Sequence, residues 1–208
     1  MFNPLVNNNS LEVNYVLQNA PVKPSVSLRN NWTRGTRSWL MRMGSVMQFL
    51  NKILALTHPE LYHAGKTALG ILQQGKDMNN YTQLWKSVFT GVAVISNRKT
   101  PEHRDSKGHL PWYDLVLSVG TYQNAWFKTP DLGAQFLYKP GTVILLCGKL
   151  LTHEVPGWDK GDRVCHAYFM RNTVLSRLGA LYAPVGWSTV HKMKDTFGAI
   201  PEKLHKFF

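Results

Sequence analysis

The chain has 208 residues, 44% of them hydrophobic and 17% charged, a composition that supports a packed core and excludes wholesale disorder. No stretch approaches the roughly 18 uncharged apolar residues of a membrane-spanning helix, and the opening MFNPLVNNNSLEVN lacks the basic and apolar regions of a secretory leader. Two cysteines, Cys147 and Cys165, are too few for a disulfide scaffold and fit a reducing, intracellular compartment. Lys and Arg number 24 against 12 Asp and Glu, giving a net charge of +12 spread along the chain. Such an excess points to a polyanionic partner, most simply nucleic acid, although an anionic membrane surface would satisfy charge alone.

Residues 1–31, rich in Asn, Pro and Ser, read as an extended arm with one short strand near Val13–Leu17. Residues 32–80 read as supporting helices. In 37–56 the apolar residues Leu40, Met43, Met47, Leu50 and Leu54 recur at helical spacing, with Thr36 as the expected N-cap. A second helix is expected from Pro59, a residue suited to a first helical position, to Gln74 before Gly75.

From residue 81 to 175 the pattern is that of strands. Expected runs are Ser87–Asn97, Trp112–Val119, Asn124–Lys128, Gln135–Tyr138, Thr142–Cys147 and Arg163–Arg171, separated by Gly, Pro and Asp. No helical segments lie between them, so a sandwich or barrel is expected and a parallel α/β order is not. Residues 176–208 read as one or two short helices and a basic tail with Lys192, Lys194, Lys203 and Lys206.

The chemistry concentrates after the first strong strand. In Pro101-Glu102-His103-Arg104-Asp105, the His and Asp are two apart and face the same way in an extended segment. His153 follows the apolar stretch through Leu150 and Leu151. Two imidazoles and a carboxylate on a β scaffold are the ligand set for non-haem Fe(II), leaving three coordination positions open. Arg163 opens the last strand, and its guanidinium suits the far carboxylate of 2-oxoglutarate. Cys165 lies two residues on and faces the same side. Each motif alone is common; their order and context carry the argument.

At this point the chain resembles the TET/JBP dioxygenases, and most of all their small fungal members. The resemblance rests on Phe89-Thr90-Gly91-Val92-Ala93, the spacing to the His103-Arg104-Asp105 triplet, Tyr138-Lys139-Pro140-Gly141-Thr142, His153 and Arg163. It covers roughly residues 85–175. It implies a mainly β protein with flanking helices, a double-stranded β-helix (a distorted jelly roll) backed by N-terminal helices, the whole chain forming one dioxygenase domain. It implies Fe(II) held by His103, Asp105 and His153, with 2-oxoglutarate and O2 as co-substrates and Arg163 on the distal carboxylate. Cys165 stands where the family commonly has Ser. Phe169, six residues after the Arg, would stack on a flipped-out base. Arg171 stands where cytosine-oxidising members tend to have His.

The implied activity is oxidation of a methylated base in DNA, first of all 5-methylcytosine to 5-hydroxymethylcytosine and beyond, with a nuclear location following from that substrate. Demethylation of N6-methyladenine or another N-methyl base by the same fold, and a non-catalytic DNA-binding module, are the alternatives. Further candidates are Arg98, with Lys99 and Arg104, for phosphate or the near carboxylate of the co-substrate, and Asn97 for co-substrate or base. His109 and Trp112 are candidates for the base pocket. Arg34, Arg37 and Arg42, with the C-terminal lysines, are candidate phosphate contacts. His166 is expected to point away from the iron.

Overall fold

The structure, a computed structural model, describes residues 9–14, 22–76, 78–181 and 184–192. Before the expected helices come β1 (Asn9–Asn14), β2 (Lys23–Pro24) and α1 (Val26–Asn30). The arm therefore carries structure of its own, with a strand at 9–14; residues 15–17 of the expected strand lie outside the described residues. The chain then bends through residues 32–36, where Gly35 takes φ +117°, a conformation open to glycine and costly for a side chain.

Helix α2 runs Arg37–Thr57 and α3 runs Pro59–Gln74, close to the expected limits. Thr36 does not cap α2. Its backbone is already helical and its side chain makes no capping bond, because the preceding bend leads straight into the helix. His58 caps α3: its Nδ1 accepts from the Leu61 amide at 3.4 Å, while Nε2–H donates to the Pro111 carbonyl at 3.0 Å. A short α4 (Asn79–Thr82) follows.

The remaining strands are β3 (Gly91–Ser96), β4 (Thr100–His103), β5 (Asp114–Gly120), β6 (Trp126–Thr129) and β7 (Ala134–Leu137). They are completed by β8 (Val143–Leu146), β9 (His153–Val155) and β10 (Arg163–Phe169), before α5 (Asn172–Arg177). Two sheets result, in the orders β2-β1-β3-β10-β5-β8 and β4-β9-β6-β7. Every recorded pairing is antiparallel. The architecture is the expected double-stranded β-helix, with β1 and β2 extending the larger sheet.

Alternation along β10 divides the molecule into two interiors. Tyr168 turns outward and joins Leu115, Leu117, Val92 and Phe89 in a core against Leu40, Met47, Leu50, Leu54 and Leu61 of the helices. Helix α3 comes close because Gly65 lies beneath Val88 and Met170; a Cβ there would stand 2.6 Å from the Met170 methyl. Cys165 turns inward and joins Val116, Phe127, Tyr138, Leu146 and Val155 in a second cluster between the sheets.

His166 faces the helices, as expected, and stacks on Trp39 of α2 with ring centroids 5.8 Å apart. Burial lowers its pKa from 6.5 to about 4. Below pH 6.5 the unfolded chain then binds a proton that the folded chain refuses, so stability falls as pH drops and keeps falling until about pH 4. The shift corresponds to roughly 3 kcal/mol. Chemical denaturation of the wild type and His166→Phe across pH 4–7 should show a loss of that order in the wild type relative to the variant; parallel curves would contradict the assignment.

Candidate active site

The two short strands that sequence patterning missed, β4 and β9, pair with each other and place His103 directly opposite His153. Their ring centroids are 4.3 Å apart. Asp105, just past β4, has Oδ1 3.6 Å from His103 Nε2 and Oδ2 3.8 Å from His153 Nε2. One ligand atom from each of the three residues lies within 4.8 Å of the others, a group that could hold a metal ion.

Backbone carbonyls set the imidazole tautomers. His103 Nδ1 lies 2.8 Å from the Pro101 carbonyl and His153 Nδ1 lies 3.0 Å from the Leu151 carbonyl. A carbonyl can only accept, so each Nδ1 carries the proton and each Nε2 keeps its lone pair towards the shared point. Burial lowers the pKa of His153, which favours the neutral imidazole. Phe127 stacks on its ring at 5.8 Å and holds it in place.

Asp105 is tied down from the backbone, where its amide donates to the Gly148 carbonyl at 2.8 Å. Gly148 leaves room for the carboxylate: a Cβ there would overlap Asp105 Oδ2 and stand 2.9 Å from Asp114 Oδ2. Asp114, which sequence patterning passed over within the expected run Trp112–Val119, reaches the same cavity. Its pKa is pushed up to about 8, first by burial and then by the charge of Asp105, against the opposing pull of Arg171.

The cavity measures about 540 Å³, within the range of small-molecule sites. His103, Asp105 and His153 line it together with Arg163, Cys165, Phe169 and Arg171. Arg98, Lys99 and Lys107 also line it. Arg163 is 1% exposed, yet its Nε has no hydrogen-bond partner. Its Nη1 donates to the Arg98 carbonyl at 3.4 Å, and its guanidinium carbon lies 5.2 Å from the centroid of the Tyr138 ring and 5.5 Å from that of Trp158. No carboxylate pairs with it among the described residues. A buried cation without a counter-ion costs several kcal/mol, a cost that an anionic ligand relieves. The donor set suits Fe(II), and the unsatisfied guanidinium suits a carboxylate of 2-oxoglutarate.

Other expected site residues lie elsewhere. Asn97 does not line the cavity. Its φ is +50°, its amide nitrogen donates to Asp162 at 2.8 Å and its oxygen accepts from the Arg163 amide at 2.8 Å, so it clamps the start of β10. His109 is exposed and packs edge-on against the buried Trp112 at 4.6 Å, outside the cavity lining. Arg104 turns away to Thr152 and Asp131. Lys192 is paired with Glu60 of α3 at 2.6 Å, while Lys194, Lys203 and Lys206 lie outside the described residues. Arg171 is placed over the Phe169 ring at 4.3 Å and donates to the Lys107 carbonyl at 3.2 Å, so the expected stacking residue and its neighbour form one unit.

A double-stranded β-helix with this triad and a buried arginine is an arrangement suited to a mononuclear metal and an anionic co-substrate. The chain belongs to the Tet_JBP family, whose model, described as the oxygenase domain of the 2OGFeDO superfamily, matches residues 14–172. Residues 14–172 thus carry the oxygenase domain of that family. It is similar in fold to the structure of NgTET1 in complex with 5mC DNA, with a TM-score of 0.53 and 17% identity over 89% of this chain and 64% of that chain. The chain thus spans just under two thirds of the NgTET1 chain. A Cupin 2 conserved barrel domain protein from Salinispora arenicola CNS-205 matches 43% of this chain and 69% of its own, with 14% identity and a TM-score of 0.31. No curated protein matches the chain. Among the described residues, no helix is long and apolar enough to cross a membrane.

The packing of Gly148 against Asp105 makes a direct demand on metal affinity. Gly148→Ala should keep the fold and lower Mn(II) affinity at least tenfold, because the methyl displaces the carboxylate from the point it shares with both imidazoles. Calorimetric titration with Mn(II), alongside circular dichroism, reads both quantities, and wild-type affinity would show that Asp105 has freedom to move.

Proposed function

We propose that this dioxygenase acts on DNA and that its substrate is the methyl group of 5-methylcytosine turned out of the base stack, oxidised to 5-hydroxymethylcytosine and further forms. The observation that carries the reading is one cavity combining the His103–Asp105–His153 triad, Arg163, and the Phe169–Arg171 pair, with Arg98, Lys99 and Lys107 around it. The relative with a similar fold, NgTET1, has a structure in complex with 5mC DNA.

In this reading His103, Asp105 and His153 hold Fe(II) through two Nε2 atoms and a carboxylate oxygen. Arg163 takes the distal carboxylate of 2-oxoglutarate, with the Cys165 thiol beside it. With both bound, the centre converts 2-oxoglutarate and O2 to succinate and CO2 while replacing one methyl C–H of the base by C–OH.

The chain's own task is to bring the methyl group to that point and hold it there. A base inside a duplex cannot enter the cavity, so extruding it costs a few kcal/mol. Stacking against an aromatic ring returns about 1–3 kcal/mol per base. Phe169 supplies the ring, and Arg171, a donor only, faces acceptors on the base edge. Arg98, Lys99 and Lys107 contact flanking phosphates, which position the strand without reading its sequence. The helices at 37–74 belong to the same catalytic unit, since they cover the outer face of the sheet that carries Arg163 and Phe169. A nuclear location follows from the substrate.

Arg171, where cytosine-oxidising relatives tend to have His, makes the base the central question for experiment. Oligonucleotides with 5-methylcytosine, N6-methyladenine or thymine, incubated with protein, Fe(II), ascorbate and 2-oxoglutarate, should yield oxidised 5-methylcytosine by nucleoside mass spectrometry. Asp105→Ala should reduce product at least a hundredfold. Product from N6-methyladenine alone would move the assignment to N-demethylation, and succinate release with no base product would remove DNA as substrate.

The phosphate contacts are separately testable. Lys99→Ala and Lys107→Ala should weaken DNA binding equally on methylated and unmethylated duplexes. Each should lower the slope of log K against log salt by about 0.9. Fluorescence anisotropy between low and physiological salt measures both, and an unchanged slope would remove that lysine from the interface.

A further inference from the structure

From Val13 to Pro59 the chain contains no Asp or Glu and six Lys or Arg. Helix α2 lies in this stretch, and its two sides have opposite surroundings. Leu40, Met47, Leu50 and Leu54 are buried against the outer face of the larger sheet. Arg37, Met41, Arg42, Phe49 and Lys52 fall on the other side of the helix and are exposed. The exposed Lys86 lies beside them: a Cβ on Gly44 would stand 3.7 Å from Lys86 Cγ, and the Lys86 carbonyl accepts from Asn51 Nδ2 at 2.7 Å.

None of these four cations pairs with a carboxylate among the described residues. One unpaired surface cation is ordinary, but four along one strip with no acid among them make a positive field. Two large apolar side chains stand within that field. Met41 is 60% exposed and Phe49 is 59% exposed, and the helical rise sets them about 12 Å apart along the axis.

The catalytic cavity does not use this strip. Helix α2 covers the outer face of the sheet, the cavity lies on its inner face, and no residue of α2 lines it. Arg37 and Arg42, candidate phosphate contacts by sequence, therefore stand across the sheet from the cavity. A phosphate backbone would answer their charge and leave Met41 and Phe49 uncovered. A lipid surface is met by a helix with a broad apolar face, and the apolar stripe of α2 is buried in the core. Arg, Met and an aromatic ring together, without acids, are the composition of a protein–protein contact. Charge complementarity makes the partner acidic.

We propose that the solvent side of α2, with Lys86, is a docking surface for an acidic amphipathic segment of a partner protein. Carboxylates of that segment pair with Arg37, Arg42, Lys52 and Lys86, the arginines bidentately, and its apolar side chains cover Met41 and Phe49. The surface is separate from the cavity, so the proposal stands or falls independently of which base is oxidised.

The test is fluorescence anisotropy with the full chain and a labelled 16-residue peptide of Glu, Leu and Phe, apolar at every third or fourth position. The peptide should bind the wild type more tightly than poly-glutamate of the same length. Met41→Ser with Phe49→Ser should bind the peptide about tenfold more weakly and poly-glutamate as the wild type does. Arg37→Glu with Arg42→Glu should weaken both at least ~tenfold. All four positions are exposed, so both variants should melt at the wild-type temperature.

No binding of the peptide overturns the proposal. Equal affinity for poly-glutamate and peptide, with no effect of the serine substitutions, overturns it too, because charge alone would then account for binding. Duplex DNA and phosphatidylserine vesicles decide between the other occupants. If Arg37→Glu with Arg42→Glu weakens duplex binding and leaves the peptide unaffected, the strip tracks phosphates. If the serine substitutions weaken vesicle binding and leave the peptide unaffected, the strip meets lipid. Either result removes the acidic protein partner.

Discussion

Hydrogen bonds to β3 on one side and β5 on the other hold β10 in register along its whole length. With both edges paired, the strand cannot slip by one residue without exchanging its two faces. Arg163, Cys165 and Phe169 therefore face the cavity, while His166 and Tyr168 face the helices. The helical layer depends on this division as much as the chemistry does. Tyr168 and the outward residues of β5 give α2 and α3 the apolar surface they cover.

The smaller sheet obeys a different constraint. Strands β4 and β9 are short, and Val155 is their one residue in the buried apolar clusters. Besides the burial of Val155 and the pairing of β9 with β6, the site itself ties them: His103 faces His153, each ring is locked by a carbonyl two residues earlier, and Asp105 bonds to Gly148. The larger sheet carries Arg163 and Phe169, and the smaller one carries His103 and His153. Binding of a cation between the imidazoles and the carboxylate would tie β4 to β9 and offset the crowding of Asp105 and Asp114.

Much of this was legible in the sequence because periodicity reports burial. The stripe through Leu40, Met47, Leu50 and Leu54 marked α2 to within a residue, and Pro59 and Gly75 bracketed α3. The triad and Arg163 were legible as residue types in order along a β pattern. The strands β4 and β9 were not, since a four-residue run containing Pro101 and a three-residue run starting at His153 have too little alternation to register. Asn97 and Arg104 misled for another reason. Polar residues beside a site look alike in sequence, whether they face the cavity or brace the backbone, and only the contacts to Asp162 and to Asp131 distinguish them.

The antiparallel pairing of β1 with β3 extends from Asn9↔Val94 to Glu12↔Gly91. It covers the backbone edge of Gly91–Ser96, a segment of sequence GVAVIS with neither charge nor proline. An uncovered edge of that composition is a template for strands from other molecules. The few residues of β1 therefore act as a guard against self-association, and a shortened protein that began at the helices would retain every catalytic group while exposing the adhesive side of its larger sheet.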